Sequence, residues 1–319
     1  MHESNASSAG RSSSTLDIFK YSNWIAIAIL VVVFSIMSPN FLSQANVINV
    51  ARSISETAIM AAGTTLILLA GEMDLSMGSV VALSGVATAA FLSAHPGSLI
   101  LGAVLGLAVG GAIGLLNGLL AVKARIPSFI ATLGVMSIAR AIAFMYTNGY
   151  PIYGLPGRFQ VLGRGYIGPI PITVAILLAT YVVCYVMLKY HRFGRYLYAI
   201  GGNREATRLS GINVDKYRLL VFVIGGLTAG LSGIILTSRF ASGQPNMAYG
   251  IEFDVITMVV LGGTSLSGGI GTIQGTLLGA VIIGILGNGL NLLGISSYFQ
   301  TLVKGLFLLF AVFIDLRRD

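Results

Sequence analysis

Long apolar runs alternate with short polar connections along nearly the whole chain, from residue 19 to residue 315. A helix that crosses a bilayer needs roughly 20 apolar residues, and about 17 are sufficient. The first run covers 19–37, and nine further runs of comparable character follow at 54–70, 75–94, 99–121, 127–147, 170–188, 219–240, 251–264, 273–293 and 298–315. The pattern predicts an all-α polytopic membrane protein with about ten transmembrane helices.

Two polar, glycine-rich breaks interrupt this background, and both have the form Gly-x-x-x-Leu-Ser-x-Gly. The first break covers 71–78 and the second break covers 262–269. Such backbone at membrane depth is costly unless it is buried in protein or lines a wet cavity. Paired breaks in the two halves of a chain are typical of transporters with an internal repeat. The pattern therefore favours a membrane permease with broken helices.

The run before the second break, 251–264, is short and starts with the acids Glu252 and Asp254. It is either a crossing helix or a broken or re-entrant element. If it crosses, the two repeats run in the same direction. If it does not, the repeats are inverted and another short segment must restore the parity.

Positive charge predicts the orientation of the chain. Basic residues crowd into the connection 189–218, and others occupy Lys123, Arg125 and the tail 317–318. Lys and Arg concentrate in cytoplasmic connections, so both termini are predicted to be cytoplasmic and the connection 148–169 external. The net charge of +8 does not indicate a nucleic-acid partner, because no basic stripe with interleaved aromatic residues occurs.

The first 18 residues are polar and Ser-rich, which predicts a disordered cytoplasmic tail ahead of a permease domain at 19–316. A cleaved signal peptide is the alternative, with small residues at 43–45 offering a cleavage pattern. The first apolar run extends back to Phe19, however, and this length favours an uncleaved helix.

Composition supports the membrane assignment and narrows the chemistry. Only 9% of residues are charged, against about 25% in soluble domains. The 41 glycines favour helices that approach closely through small residues, as in 102–118 and 268–289. The one cysteine, Cys184, lies in an apolar run, so neither a catalytic group nor a metal site is predicted. The chain has no phosphate-binding loop, so any energy from ATP must come from a partner.

The basic connection contains the signals of a short helix. Asn203 is a good N-cap, Glu205 complements the helix dipole in the first turn, and Gly211 is a good stop signal. We predict an amphipathic helix at about 204–210, standing clear of the membrane. A solvated loop would explain the basic residues alone, but a capped helix favours a docking element for a cytoplasmic partner.

Polar residues within the membrane domain are candidates for the translocation path. Asp74 either caps, together with Ser76, a helix that begins near Leu75 or contacts the path. Thr264 and Ser265 in the second break carry the same two interpretations. Glu72 is expected to face the cytoplasmic boundary.

Other intramembrane polar groups lie on the helices themselves. Asn288 and Asn291 are three residues apart and share one helix face, towards a partner subunit or a pore. Glu252 and Asp254 reach the same depth as Lys304, and either acid is a candidate ion-pair partner for it. Arg140 needs either an acid or backbone carbonyls.

Several segments resemble the permease subunits of ribose-type ABC importers, within the branched-chain amino acid and ribose permease superfamily. The matching segments are 71–79, 129–133, 146–149, 201–212 and a nearly continuous stretch from 259 to 315, and the resemblance covers 20–316. Glu72 and Met73 stand where the family usually has Gly and Ile before the aspartate.

The resemblance implies a type II importer-like fold and a permease without its own ATPase, in the bacterial inner membrane. It implies a dimer of identical or paralogous permeases, two cytoplasmic ATP-binding cassettes that hold ATP and Mg, and a binding protein that delivers a monosaccharide. Carried over to this sequence, the ATPase-coupling residues are Glu205, Ala206, Thr207, Arg208, Gly211 and Ile212.

Two other functions remain as alternatives. An ion-coupled secondary transporter would need paired intramembrane acids or histidines on the path, and only Glu72 and Asp74 qualify. A branched-chain amino acid cargo would keep the class of transporter, but the segments 264–266 and 288–293 fit the sugar group better. The particular sugar stays open.

Overall fold

The computed structural model describes residues 13–315. Within this range the chain is almost entirely helical. The first seven helices are α1 (Ser13–Met37), α2 (Gln44–Leu69), α3 (Met77–Ala94), α4 (Leu99–Val122), α5 (Ser128–Thr147), α6 (Gly157–Arg164) and α7 (Ile172–Lys189). They are followed by α8 (Arg192–Gly202), α9 (Arg204–Leu209), α10 (Val214–Phe240), α11 (Ile251–Leu261), α12 (Ile273–Leu292) and α13 (Ser297–Asp315). Between α6 and α7, strands β1 (Tyr166–Ile167) and β2 (Ile170–Pro171) form an antiparallel hairpin.

Each of the ten predicted apolar runs overlaps one helix. Six of the described helices are long and apolar enough to cross a membrane, namely α3, α4, α5, α7, α10 and α12. The expectation of about ten crossings is not confirmed by length and composition. The predicted tail 1–18 lies largely outside the described residues, as do Arg317 and Arg318.

Close backbone contact between α4 and α10 forms the centre of the bundle. Glycines recur every four residues along the buried stripe of α4, and this stripe includes Gly110 and Gly114. A Cβ atom at Gly114 would meet the Phe222 carbonyl, and one at Gly226 would meet the Gly110 carbonyl. The predicted small-residue face at 102–118 is therefore confirmed, and it brings two helix backbones into direct contact.

The segment before the second break is a broken element. Residues 241–250 are not helical, and α11 begins only at Ile251 and ends after 11 residues. Gly243 pairs in an isolated bridge with Ile152, and a Cβ at Gly243 would meet Ala89 of α3. The short run of apolar residues thus corresponds to a short helix that follows a non-helical segment made mostly of turns.

The two breaks meet at one end of the bundle. The Gly269 amide donates to the Leu69 carbonyl over 3.0 Å. A Cβ at Gly268 would touch the backbone of Gly71 and Gly201. Because α2 and α11 both run into this end, the two Leu-Ser-x-Gly segments enter from the same side.

Candidate functional site

A closed cluster of three buried side chains stabilises the first break. The Asp74 Oδ1 atom accepts hydrogen bonds from the Ser76 amide over 2.7 Å and from the Ser76 hydroxyl over 2.6 Å. The Asn117 amide nitrogen donates to Asp74 Oδ2 over 3.2 Å and to the Ser76 hydroxyl over 2.8 Å. The Asp74 carboxylate is therefore engaged by the turn that precedes Met77, where α3 begins, two residues later than the sequence suggested.

Hydroxyl groups at the start of α5 complete this local structure. The Met73 amide donates to the Ser128 hydroxyl over 3.2 Å, and the Leu75 amide donates to the Thr132 hydroxyl over 3.2 Å. Backbone amides buried without a partner are costly, so these two side chains allow the break to lie inside protein. Sequence reasoning missed Asn117, whose one signal is an amide within an otherwise apolar run.

We expect Asp74→Asn to lower stability and membrane abundance. The new amide group would face the Asn117 amide, donor against donor, and an unsatisfied buried group costs about 1–3 kcal/mol. Thermal unfolding in detergent measures the loss. The swapped variant, Asp74→Asn with Asn117→Asp, restores a donor–acceptor pair and should recover much of it. Normal stability with lost transport would instead place Asp74 on the path.

The second break is held by the end of the last helix and by the connection 189–218. Asp315 Oδ2 accepts from the Ser265 hydroxyl over 3.2 Å and from the Leu266 amide over 3.0 Å. Thr264 is fully buried beside them. Tyr198 of α8 donates its hydroxyl to the Gly271 carbonyl over 2.9 Å. Burial raises the pKa of Tyr198, so its phenol remains a protonated donor at neutral pH.

The predicted cytoplasmic helix is present as α9. The Asn203 side chain accepts from the Ala206 amide over 2.9 Å, which confirms the N-cap. Gly211 follows the helix with a φ of +82°, a conformation that favours glycine. Of the six carried-over coupling residues, Thr207 is buried and Ile212 is half-buried, whereas the others are exposed, namely Glu205, Ala206, Arg208 and Gly211. The sequence did not predict α8, whose Leu197 and Ile200 pack inward.

One buried carboxylate joins the first break to α9 and α10. Glu72 Oε1 accepts from Arg204 Nη2 over 2.6 Å and from Arg218 Nε over 2.5 Å. Glu72 is only 4% exposed, so this arrangement keeps a charge inside protein by pairing it twice. Glu72 therefore lies against the 189–218 connection. The pairing itself was not predicted.

Arg140 and Lys304 both have partners in the structure. The Arg140 guanidinium donates to the Pro245 and Met247 carbonyls, each over 2.8 Å, so carbonyls of the non-helical part of the broken element hold it. Lys304 pairs with Asp254 over 2.6 Å, one of the two acids expected for it.

Asn288 and Asn291 lie apart from the two breaks. Asn288 exchanges two hydrogen bonds with Asn46, over 3.0 and 2.9 Å. Asn288 and Asn291 both line a polar cavity between α2, α11, α12 and α13. The six candidate path residues therefore fall into three places, with Asp74 and Ser76 at the first break, Thr264 and Ser265 at the second, and the asparagines at the cavity. Among the described residues, no group of acids, histidines or cysteine could hold a metal ion.

The fold combines membrane-length helices, two breaks buried against each other and a capped helix at the same end. These features define a polytopic transport permease. A family model confirms this class: the chain belongs to the family described as branched-chain amino acid transport system / permease component, matched over residues 46–312. The resemblance to ribose-type permeases is confirmed as well.

Curated relatives cover nearly the full chain. It is 44% identical to the ribose import permease protein RbsC of Escherichia coli K12, over 92% of this chain and 93% of the relative. It is 42% identical to RbsC of Bacillus subtilis, over 94% of each chain. It is 37% identical to the L-arabinose ABC transporter permease protein AraH of Azospirillum brasilense, over 90% of this chain and 84% of the relative. The search of solved structures found no match.

Proposed function

We propose that this chain is the permease subunit of an ATP-binding cassette importer and forms the path for a monosaccharide, ribose or a related pentose. The relatives named for ribose import are 42–44% identical to it over at least 92% of its length. The structural observation that carries the proposal is the capped helix α9, which joins the first break through the Glu72–Arg204 pair.

The proposal includes ten crossing elements in the bacterial inner membrane, with both termini cytoplasmic. These ten elements are the six membrane-length helices, the helices α1, α2 and α13, and the broken element that ends in α11. The basic residues of 189–218 lie at the end of the bundle where the breaks meet. Basic connections are retained in the cytoplasm, which supports this orientation.

The coupling surface is the outer side of α9 and the turn after it. Glu205, Ala206, Arg208 and Gly211 are exposed there, and Leu209 is 81% exposed. A large apolar side chain left in water among charged neighbours fits a surface that a partner covers. The buried Thr207 holds the helix in place, and the half-buried Ile212 lies at the edge of the surface. The partner is an ATP-binding subunit, which supplies ATP and Mg.

The candidate path residues separate by environment. Asn288 and Asn291 line a cavity, whereas Asp74, Ser76, Thr264 and Ser265 are buried within the breaks. We assign the asparagines to the path and the other four to the stability of the breaks. The remaining partners are a second permease, identical or paralogous, and a solute-binding protein that delivers the sugar.

Gentle extraction from native membranes tests the assembly. We expect an ATP-binding subunit to co-purify in stoichiometric amount and to hydrolyse ATP. A chain that purifies alone and moves solute down an ion gradient in vesicles would instead support a secondary transporter.

A further inference from the structure

A polar cavity of about 350 Å³ lies between α2, α11, α12 and α13, away from both breaks. Its lining includes Asn49, Ser53, Asn291, Gln300 and the ion pair of Asp254 with Lys304. These groups come from α2 near the start of the chain and from the three consecutive helices α11, α12 and α13 near its end. Together they offer hydroxyl, amide, carboxylate and ammonium groups in one half-open cavity.

The cavity lies in the half of the bundle opposite the two breaks. Lys304 is in the second turn of α13, counted from Ser297, and Asn291 is in the last turn of α12. Polar side chains at this depth are costly against lipid unless they face water or protein. The other side of α13 has the opposite character, since Leu302, Leu306 and Phe310 are each more than half exposed. Only the side of α13 that carries Gln300 and Lys304 faces the cavity.

The ion pair makes the cavity nearly neutral while it keeps strong hydrogen-bonding groups. Lys304 Nζ lies 2.6 Å from Asp254 Oδ2, and the two side chains are 32% and 17% exposed. The other carboxylate oxygen of Asp254 can accept a hydrogen bond from a neighbouring hydroxyl. The ammonium group of Lys304 has further hydrogens to donate. Charge-assisted hydrogen bonds are roughly twice as strong as neutral ones.

We propose that this cavity binds a neutral polyhydroxylated sugar during passage, and that Asp254 and Lys304 are the residues that select it. The inference rests on the proposed importer function and names its sugar site. Adjacent hydroxyls of one sugar ring bridge the Asp254 carboxylate and the Lys304 ammonium. Asn49, Asn291 and Gln300 bind the remaining hydroxyls. Small-molecule sites have volumes of roughly 300–1,000 Å³, so a cavity of about 350 Å³ fits a monosaccharide.

Thiol labelling tests whether the cavity is wet. Ser53→Cys in the full complex, reconstituted in vesicles, should react at least about tenfold faster with a charged, membrane-impermeant methanethiosulfonate than Leu302→Cys does. The thiolate is the reactive form, and an apolar surrounding suppresses it. Leu302 lies on the exposed apolar side of the same membrane domain, and the native Cys184 is buried. Equal rates would mean that lipid or a second protein covers the cavity, which overturns the proposal.

Removal of both charges of the Asp254–Lys304 pair tests whether these residues select the sugar. Asp254→Asn combined with Lys304→Gln removes both members of the ion pair, so neither is left as an unpaired charge and the complex should assemble. Uptake of labelled D-ribose per assembled complex should fall at least about tenfold, because charge-assisted hydrogen bonds to the sugar are lost. Unchanged uptake in this variant would overturn the proposal.

The two experiments separate this proposal from the proposed function. If the unmodified complex transports neither D-ribose nor L-arabinose, the importer assignment for these sugars fails. The labelling comparison does not depend on transport, so a dry cavity overturns the sugar site even in a fully active importer.

Discussion

Replacement of Arg208 by Glu, or of Gly211 by Ile, is expected to abolish ATP-driven sugar uptake while the chain stays in the membrane at normal abundance. Arg208 has a half-exposed side chain, 3.6 Å from Glu205 and 3.7 Å from Asp215. Reversal of its charge would place three acids together on the surface assigned to the ATP-binding subunit. Such a surface costs the isolated chain little, because exposed ion pairs contribute about 0–1 kcal/mol.

Gly211 acts through the backbone and not through packing. Its φ is +82°, and a Cβ built there would meet nothing within 4 Å. A β-branched residue is strained in this conformation by roughly 1–2 kcal/mol, so the turn after α9 should change shape while the core stays intact. The expected result is a folded permease whose docking helix no longer fits its partner.

The matched control is Arg195→Glu. It makes the same charge change in the same connection, at an exposed position of α8 that lies outside the proposed coupling surface. Uptake in vesicles, normalised to membrane abundance, should remain normal in this variant. Wild-type uptake in both the Arg208 and the Gly211 variant would contradict the docking assignment.

Glu72→Ala is expected to have the largest effect on stability. Removal of the carboxylate leaves Arg218, whose side chain is 11% exposed, without its closest acid, and it also frees Arg204. Loss of one partner from a buried pair costs about 3–5 kcal/mol. We expect about 3 kcal/mol, because the Arg204 side chain is 40% exposed and solvent screens it. Thermal unfolding in detergent and membrane abundance measure the loss.

Two further variants isolate the cause. Glu72→Ala with Arg218→Met removes both charges and should recover a large part of the loss. Glu205→Ala removes an acid whose side chain is 70% exposed and should change stability by less than about 0.5 kcal/mol. If Glu72→Ala is as stable as the parent, the pairing does not hold the first break.

Local signals in the sequence were sufficient to predict α9 and the breaks. Asn203, Glu205 and Gly211 are capping and stop residues, and they predicted 204–210 where the helix is Arg204–Leu209. Apolar runs located the long helices, and the shortness of 251–264 left a crossing helix and a broken or re-entrant element as alternatives. These features depend on residues that are close together along the chain, so a single sequence contains the information.

The pairs that hold the site could not be predicted in the same way. Glu72 meets Arg218 across 146 positions, and Asn117 meets Asp74 across 43. Such contacts depend on which helices pack together, and the glycine contacts between α4 and α10 set that packing. Lys304 and Asp254 were candidates for a pair, but the cavity that they line depends on four helices at once. The coupling role of α9 and the sugar path remain predictions.

ATP-dependent uptake of labelled D-ribose by reconstituted vesicles tests the central claim most directly. The permease would be reconstituted with its ATP-binding subunit, with sugar-loaded binding protein outside and ATP inside. The account predicts accumulation that needs ATP and the binding protein and that disappears with Arg208→Glu. Accumulation driven by an ion gradient without ATP would contradict it.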